Sequence, residues 1–403
     1  MNNLDISGWL KKLNLNKINY LNLAKYIPLA LLFIYLYIYK LSSIVNGISI
    51  QEKTLNYPKQ GIGQIFNDPS FLGLKLVRYI FGIFSNTLSV FEIRLASVFF
   101  GLLSIFFIYR IIASWLGRRA ALLGTVLFSF SAWTLHISRL GINSIAYTFC
   151  VITLIYSIVV LKKYFLNSKY FLIITALVWP ALIFTPGMIL FVIFSILRCK
   201  KELSAGFKNL KNPYYYYIPS ALITLGLLIK YFMDSMTNIF TFFGLSSILT
   251  NWENLPLNIV KTLYHLFLFG PNQPEIWLNK APVLDFLILF SSIFGIYFYS
   301  RNLKKSPAVT LFTCFGIGLF ITALNNNNDL SLLTPLMYIF SATGIALFIQ
   351  RWLKVFPKNP IARAIGLSLV YSLVVLSCIL NYRAYFIAWP HNKDVKSYFI
   401  SIN

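Results

Sequence analysis

The chain has 403 residues, with 35 Lys and Arg against 11 Asp and Glu and a formal net charge of +24. It is 58% hydrophobic and only 11% charged, far below the roughly 25% charged fraction of soluble domains, which excludes a single water-facing core. Its apolar runs are continuous rather than alternating, which excludes an outer-membrane barrel. Backbone polar groups must be satisfied inside lipid, so the runs are helices, and the chain is an all-α polytopic membrane protein. The Lys and Arg residues flank these runs and suit anionic lipid headgroups, not nucleic acid.

In chain order, a polar, Asn- and Lys-rich segment of 25 residues comes first and carries no cleavable signal pattern. About eleven spans follow, near 27–45, 89–109, 119–135, 143–161, 169–181, 185–198, 214–231, 281–299, 306–324, 331–349 and 363–381. The fifth and sixth are short, and Pro180 and Pro186 allow them to be one broken helix. Basic clusters before the first span and after the second, fourth, sixth, eighth and tenth fall on one side. The positive-inside rule makes that side cytoplasmic, with the N-terminus inside and the C-terminus outside. Nine of the eleven acids then lie outside: Glu52, Asp68, Glu92, Asp234, Glu253, Glu275, Asp285, Asp329 and Asp394.

Two outer loops are long, 46–88 and 232–280. Within them 70-SFLGLKLVRYIFGIF-84 and 257-LNIVKTLYHLFLFG-270 read as interfacial amphipathic helices. No internal repeat and no separate soluble domain is evident, so 1–403 reads as one transmembrane domain. Cys150, Cys199, Cys314 and Cys378 lie in or beside apolar runs without CxxC spacing and read as structural thiols. No HxxxH, DxD or Cys/His cluster is present, so no metal and no cofactor is expected.

The order of features across roughly 25–200 resembles the GT-C superfamily of membrane glycosyltransferases. The nearest parallels are the protein O-mannosyltransferases and the lipid A aminoarabinose transferases. The pieces are 48-ISIQEK-53, 68-DPSFLGLKLVRYIFG-82, 92-EIRLASVFFG-101, 117-GRRAALLGTVLFSFSAWTLHISRLGIN-143 and 329-DLSLLTPLMYIFSATGI-345. The sequence departs from the family at two places. Gln51-Glu52 stands where an Asp-Glu pair is usual, and Asn143 and Ser144 stand where an acid often follows the "SR".

The resemblance implies transfer of a sugar from a polyprenyl-phosphate donor to a lipid, glycan or protein acceptor. The site would lie on the outer face of a bacterial cytoplasmic membrane. Such a transfer needs a carboxylate as general base and cations on the departing phosphate. Glu52, about seven residues past the first span, is the expected base; Asp68 is the second candidate, with an N-cap before Pro69 as its ordinary role. Lys53, Lys75, Arg78, Arg94, Arg139 and His136 are the candidate phosphate ligands. Glu92 and Arg94 are two apart and diverge on a helix, so Glu92 is expected to pair with another cation. Trp252, Trp277 and Trp389 are candidate sugar platforms. Two alternatives stand beside the enzyme: a transporter or flippase for lipid-linked glycans, and a non-catalytic relative that binds polyprenyl lipid.

Overall fold

The computed structural model describes residues 27–45, 47–56, 61–83, 89–210, 212–245, 252–278, 280–325 and 329–400. The basic N-terminal segment with Lys11, Lys12, Lys17 and Lys25 lies outside the described residues. Six helices are long and apolar enough to cross a membrane, and a bent pair makes a seventh. Four shorter apolar helices accompany them. All eleven expected segments therefore coincide with helices, although four fall short of a full crossing by length.

The chain enters with α1 (Ile27–Ile38). The first long loop holds β1 (Ile48–Ser49), α2 (Ile50–Asn56), α3 (Ile62–Asn67) and α4 (Leu72–Phe81). Then come α5 (Val90–Leu116) and the pair α6 (Arg118–Phe130) and α7 (Ala132–Arg139), which meet at a 60° bend. Next are α8 (Ser144–Tyr164), α9 (Ser168–Ile183), α10 (Met188–Arg198) and α11 (Lys200–Lys208). The second long loop follows α12 (Tyr214–Asp234) and contains α13 (Met236–Phe242) and α14 (Leu255–Phe267). The chain closes with α15 (Phe286–Ser300), α16 (Ser306–Leu324), α17 (Thr334–Val355), α18 (Pro360–His391), α19 (Lys393–Lys396) and β2 (Phe399–Ile400).

The buried core runs through α5, α6, α7, α8 and α17. By contrast, α12 and the outward face of α18 leave most of their apolar side chains exposed, as lipid-facing helices do. Within 70–84 the structure forms an amphipathic helix, α4, which buries Leu74 and Arg78 and exposes Ile80. The fifth and sixth expected spans are two helices, α9 and α10, separated by a turn through Thr185, Pro186 and Gly187 (φ +78°). The two short strands pair antiparallel, Ile48 with Ile400 and Ser49 with Phe399. This pairing ties the start of the first long loop to the C-terminal tail.

Candidate functional site

Glu52 lies in the first turn of α2 and is fully buried. The long α5 brings Arg94 beneath it, 42 residues on in sequence. Arg94 Nε donates to Glu52 Oε1 at 2.8 Å and Nη2 to Oε2 at 2.9 Å. This is the two-pronged geometry that favours arginine over lysine. The remaining oxygen positions accept the Gly141 N–H at 2.6 Å and the Ser49 N–H at 2.9 Å. A Cβ on Gly141 would stand 2.3 Å from Ile93 Cγ2 and 3.2 Å from Glu52 Oε1, so only glycine lets the α7–α8 turn come this close.

Burial by itself pushes the Glu52 carboxyl up. The hydrogen bonds and charge of Arg94, with the two N–H groups, outweigh it and hold Glu52 below the usual carboxylate range. Arg94 is spent equally fully, because Nη1 donates to Leu41 O at 2.8 Å and Nη2 also to Gly47 O at 3.0 Å.

The α7–α8 turn is gripped from a second side. Arg78 of α4 donates to Gly141 O at 2.8 Å, with longer contacts of 3.4 Å to Ile142 O and Asn143 Oδ1. Burial pulls Arg78 down to about 10, against the pull of the Glu52 charge, so it stays cationic near neutrality. Glu275 accepts the Gln51 N–H at 2.8 Å, and burial together with the Glu52 charge raises its carboxyl. Sequence reasoning placed Glu275 outside but gave it no role; a loop carboxylate 224 positions from Gln51 carries no local signal.

Arg139 is buried and turned inward. It donates to the carbonyls of Leu36 and Tyr39, so it caps the C-terminal end of α1. Its guanidinium lies 5.3 Å from the Tyr385 ring centre and 4.8 Å from that of Phe386. His136 is enclosed edge-on by Trp277, Tyr385 and Trp389, at 5.3, 4.6 and 4.6 Å between ring centres. Trp277 and Trp389 are therefore interior walls, and of the three outer tryptophans only Trp252 is exposed. Glu92 closes a capping box with Ser89 at the start of α5.

Two of the candidate cations stay near the surface. Lys53 is exposed. Lys75 keeps 12% side-chain exposure and binds Asp68 Oδ2 at 2.6 Å; the Asp68 side chain is 55% exposed. Asp68 Oδ1 accepts from the N–H and the hydroxyl of Ser70 at 3.1 and 2.6 Å. The bond thus closes a turn, and the N-cap of α4 is Phe71, not Asp68. Burial raises the Asp68 carboxyl, but Lys75 and Ser70 outweigh it and leave Asp68 ionised at neutral pH. Beside Ser70 an apolar recess is lined by Pro69, Phe184, Pro186, Leu228, Tyr231 and Phe242. Among the described residues, no group of three or more His, Cys, Asp or Glu side chains could hold a metal.

The structure superposes on ArnT from Cupriavidus metallidurans bound to undecaprenyl phosphate with a TM-score of 0.57 and 11% identity, over 91% of this chain and 76% of that one. It also superposes on the Archaeoglobus fulgidus oligosaccharyltransferase in its apo form with a TM-score of 0.52 and 15% identity, over 96% of this chain and 57% of that one. The chain has the GT-C fold. No protein-family model and no curated protein sequence matches it.

Within the GT-C fold, then, the first long loop presents two unlike acid–base pairs. Glu52–Arg94 is dry and saturated and welds α2, α5 and the α7–α8 turn together. Asp68–Lys75 is open on one side, and Ser70, which binds both, lines a small apolar recess.

Proposed function

We propose that the protein transfers a sugar from a polyprenyl-phosphate donor to a hydroxyl-bearing acceptor on the outer face of the membrane. Asp68, rather than Glu52, is the carboxylate that meets substrate. The supporting observation is the Asp68–Lys75 pair: of the two candidate bases, only Asp68 is both ionised and exposed. Asp68 takes the proton of the acceptor hydroxyl as its oxygen attacks the anomeric carbon, and the polyprenyl phosphate departs with the bonding pair. Lys75, freed from Asp68 when that carboxylate takes the proton, neutralises the departing phosphate, with Lys53 as the second exposed cation. The bound undecaprenyl phosphate of the Cupriavidus ArnT supports a lipid of this class.

Glu52, Arg94, Arg78, Arg139 and His136 then act by holding the loop, with no contact to donor. The test is transfer from a radiolabelled polyprenyl-phosphate sugar by Asp68→Asn. Loss of a positioned base costs about 10²–10⁴-fold in rate, with lipid retention unchanged. Full transfer by Asp68→Asn removes Asp68 from the reaction. Movement of the lipid-linked sugar across vesicles by the unmodified protein, without transfer, favours the transporter.

A further inference from the structure

The helix that carries Lys75, α4, is held against the start of α8 at two points. Near its C-terminal end Arg78 reaches Gly141 O at 2.8 Å and Asn143 Oδ1 at 3.4 Å. At its N-cap the Phe71 ring meets the Tyr147 ring edge-on, 5.3 Å between centres. The two anchors, Phe71 and Arg78, lie about 10 Å apart along the helix axis. Lys75 stands between them, four residues after Phe71 and three before Arg78, so all three share one face of α4. Asn143 and Tyr147, four apart, share one face of α8 in the same way.

From Ser144 to Thr148 the start of α8 is buried, and within that stretch Tyr147 alone is partly exposed. Its hydroxyl makes no hydrogen bond among the described residues, although a tyrosine hydroxyl inside a protein ordinarily finds a partner. Phenylalanine would keep the contact with Phe71, so packing does not account for the hydroxyl. A carboxylate comes to the same end of α8. Thr148 Oγ1 donates to Ser331 O at 2.8 Å, and the Ser331 N–H donates to Asp329 Oδ1 at 2.9 Å. Asp329 is partly buried, and its second oxygen has no partner among the described residues. An aromatic ring, a free hydroxyl and a free carboxylate oxygen, across from Lys75, are groups that hold a sugar. The ring packs on a C–H face, and the oxygens exchange hydrogen bonds with the sugar hydroxyls.

Given a polyprenyl-phosphate sugar as the donor, as proposed above, we infer that Tyr147 and Asp329 grip the hydroxyls of the sugar being transferred and hold it beside Asp68 and Lys75. The full chain in detergent is titrated with undecaprenyl phosphate, bare or carrying mannose, glucose or 4-amino-4-deoxyarabinose, and native mass spectrometry counts the lipid retained. At least one sugar-bearing lipid should bind more tightly than the bare one. Tyr147→Phe, which keeps the ring contact, should narrow that difference about two- to ten-fold, the worth of one neutral hydrogen bond. Its affinity for bare undecaprenyl phosphate and its Tm should not change. Asp329→Asn, which keeps an oxygen for the Ser331 N–H, should narrow the difference too. In transfer assays the loss in Tyr147→Phe should fall on the donor KM, and that in Asp68→Asn on kcat. Sugar-bearing lipids that bind no better than the bare lipid overturn the sugar site. So does an undiminished preference in either the Tyr147 or the Asp329 variant. A preference that shrinks in both variants, in a parent protein that transfers no sugar, supports the sugar site and overturns the transferase reading instead.

Discussion

Glu52 shows how a buried, fully paired carboxylate clamps a loop. All four of its acceptor positions are filled by groups from β1, α5 and the α7–α8 turn. Removing one partner of such a pair leaves the other charge buried and uncompensated, at a cost of about 3–5 kcal/mol. Glu52→Gln should therefore unfold at markedly lower temperature, and adding Arg94→Gln should recover part of the loss. A double variant as damaged as the sum of the singles would mean the two groups are not coupled.

The sign of the pH dependence follows from the direction of the shift. The folded Glu52 carboxyl lies below its ordinary value, near 4.3 in an unfolded chain. Its stabilisation is therefore fully present above that value and is lost as pH falls through the folded one. Glu275, raised by burial, works the other way: its contribution is present in acid and fades as pH rises through its folded value. The acid limb of a Tm–pH profile between about 6 and 3 should thus be shallower in Glu52→Gln than in the parent. Superimposable limbs would assign acid sensitivity to another carboxylate. The candidates Glu52, Asp68, Lys75 and Arg94 were legible because each lies in a short motif. Their pairing was not, since Arg94 reaches Glu52 across 42 positions and Arg139 reaches Leu36 across 103.

The positions of the helices were legible at the scale of the element, because apolar length is written into the sequence. What shapes each helix was less so. In α9 a π-helical stretch, Ile173–Val178, ends at Trp179-Pro180, and in α18 another, Ala384–Ala388, ends at Trp389-Pro390. A proline inside a helix lacks an N–H and crowds the carbonyl four residues back, and the wider π turn relieves both. The carbonyl orphaned by Pro180 is that of Ala176, and Ser220 Oγ of α12 donates to it at 2.6 Å. A second device joins α15 to α17. A Cβ on Gly344 would meet Ser291 O at 1.9 Å, and one on Gly295 would meet Phe340 O at 2.0 Å, so the two backbones touch. Ser291 and Ser341 add a hydroxyl–hydroxyl hydrogen bond of 2.6 Å across the same seam. Gly344→Ala should cost about 1–3 kcal/mol, as overpacking does. Gly226→Ala in α12, with nothing within 4 Å of the added carbon, should be neutral or stabilising by up to about 1 kcal/mol. Equal responses at the two glycines, measured by thermal unfolding in one detergent, would show that the α15–α17 seam is not close-packed.

For the whole molecule, the two-residue strand pair constrains topology more tightly than any single helix does. Ile48 and Ile400 are partners, so the chain between them must cross the membrane an even number of times. Helix lengths alone give six or seven crossings among the described residues. All of the apolar segments between the strands, counted with α9 and α10 as separate crossings and α6–α7 as one, give ten, which is even and agrees with the Lys/Arg asymmetry of the loops. With the other segments counted as above, merging α9 and α10 into one crossing would give an odd count and part the strands. The expected arrangement puts α3 and α19 on the outer face and α11 on the inner face. With a membrane-impermeant maleimide on intact cells, Gly63→Cys and Lys396→Cys should both label and Lys201→Cys should label only after permeabilisation; all three sites are exposed. The buried thiols of Cys150, Cys199 and Cys314 should stay silent in each case. Labelling of Gly63→Cys and Lys396→Cys from opposite sides would break the strand pair. Labelling of Lys201→Cys from outside would sink the assignment of α9 and α10 as two crossings.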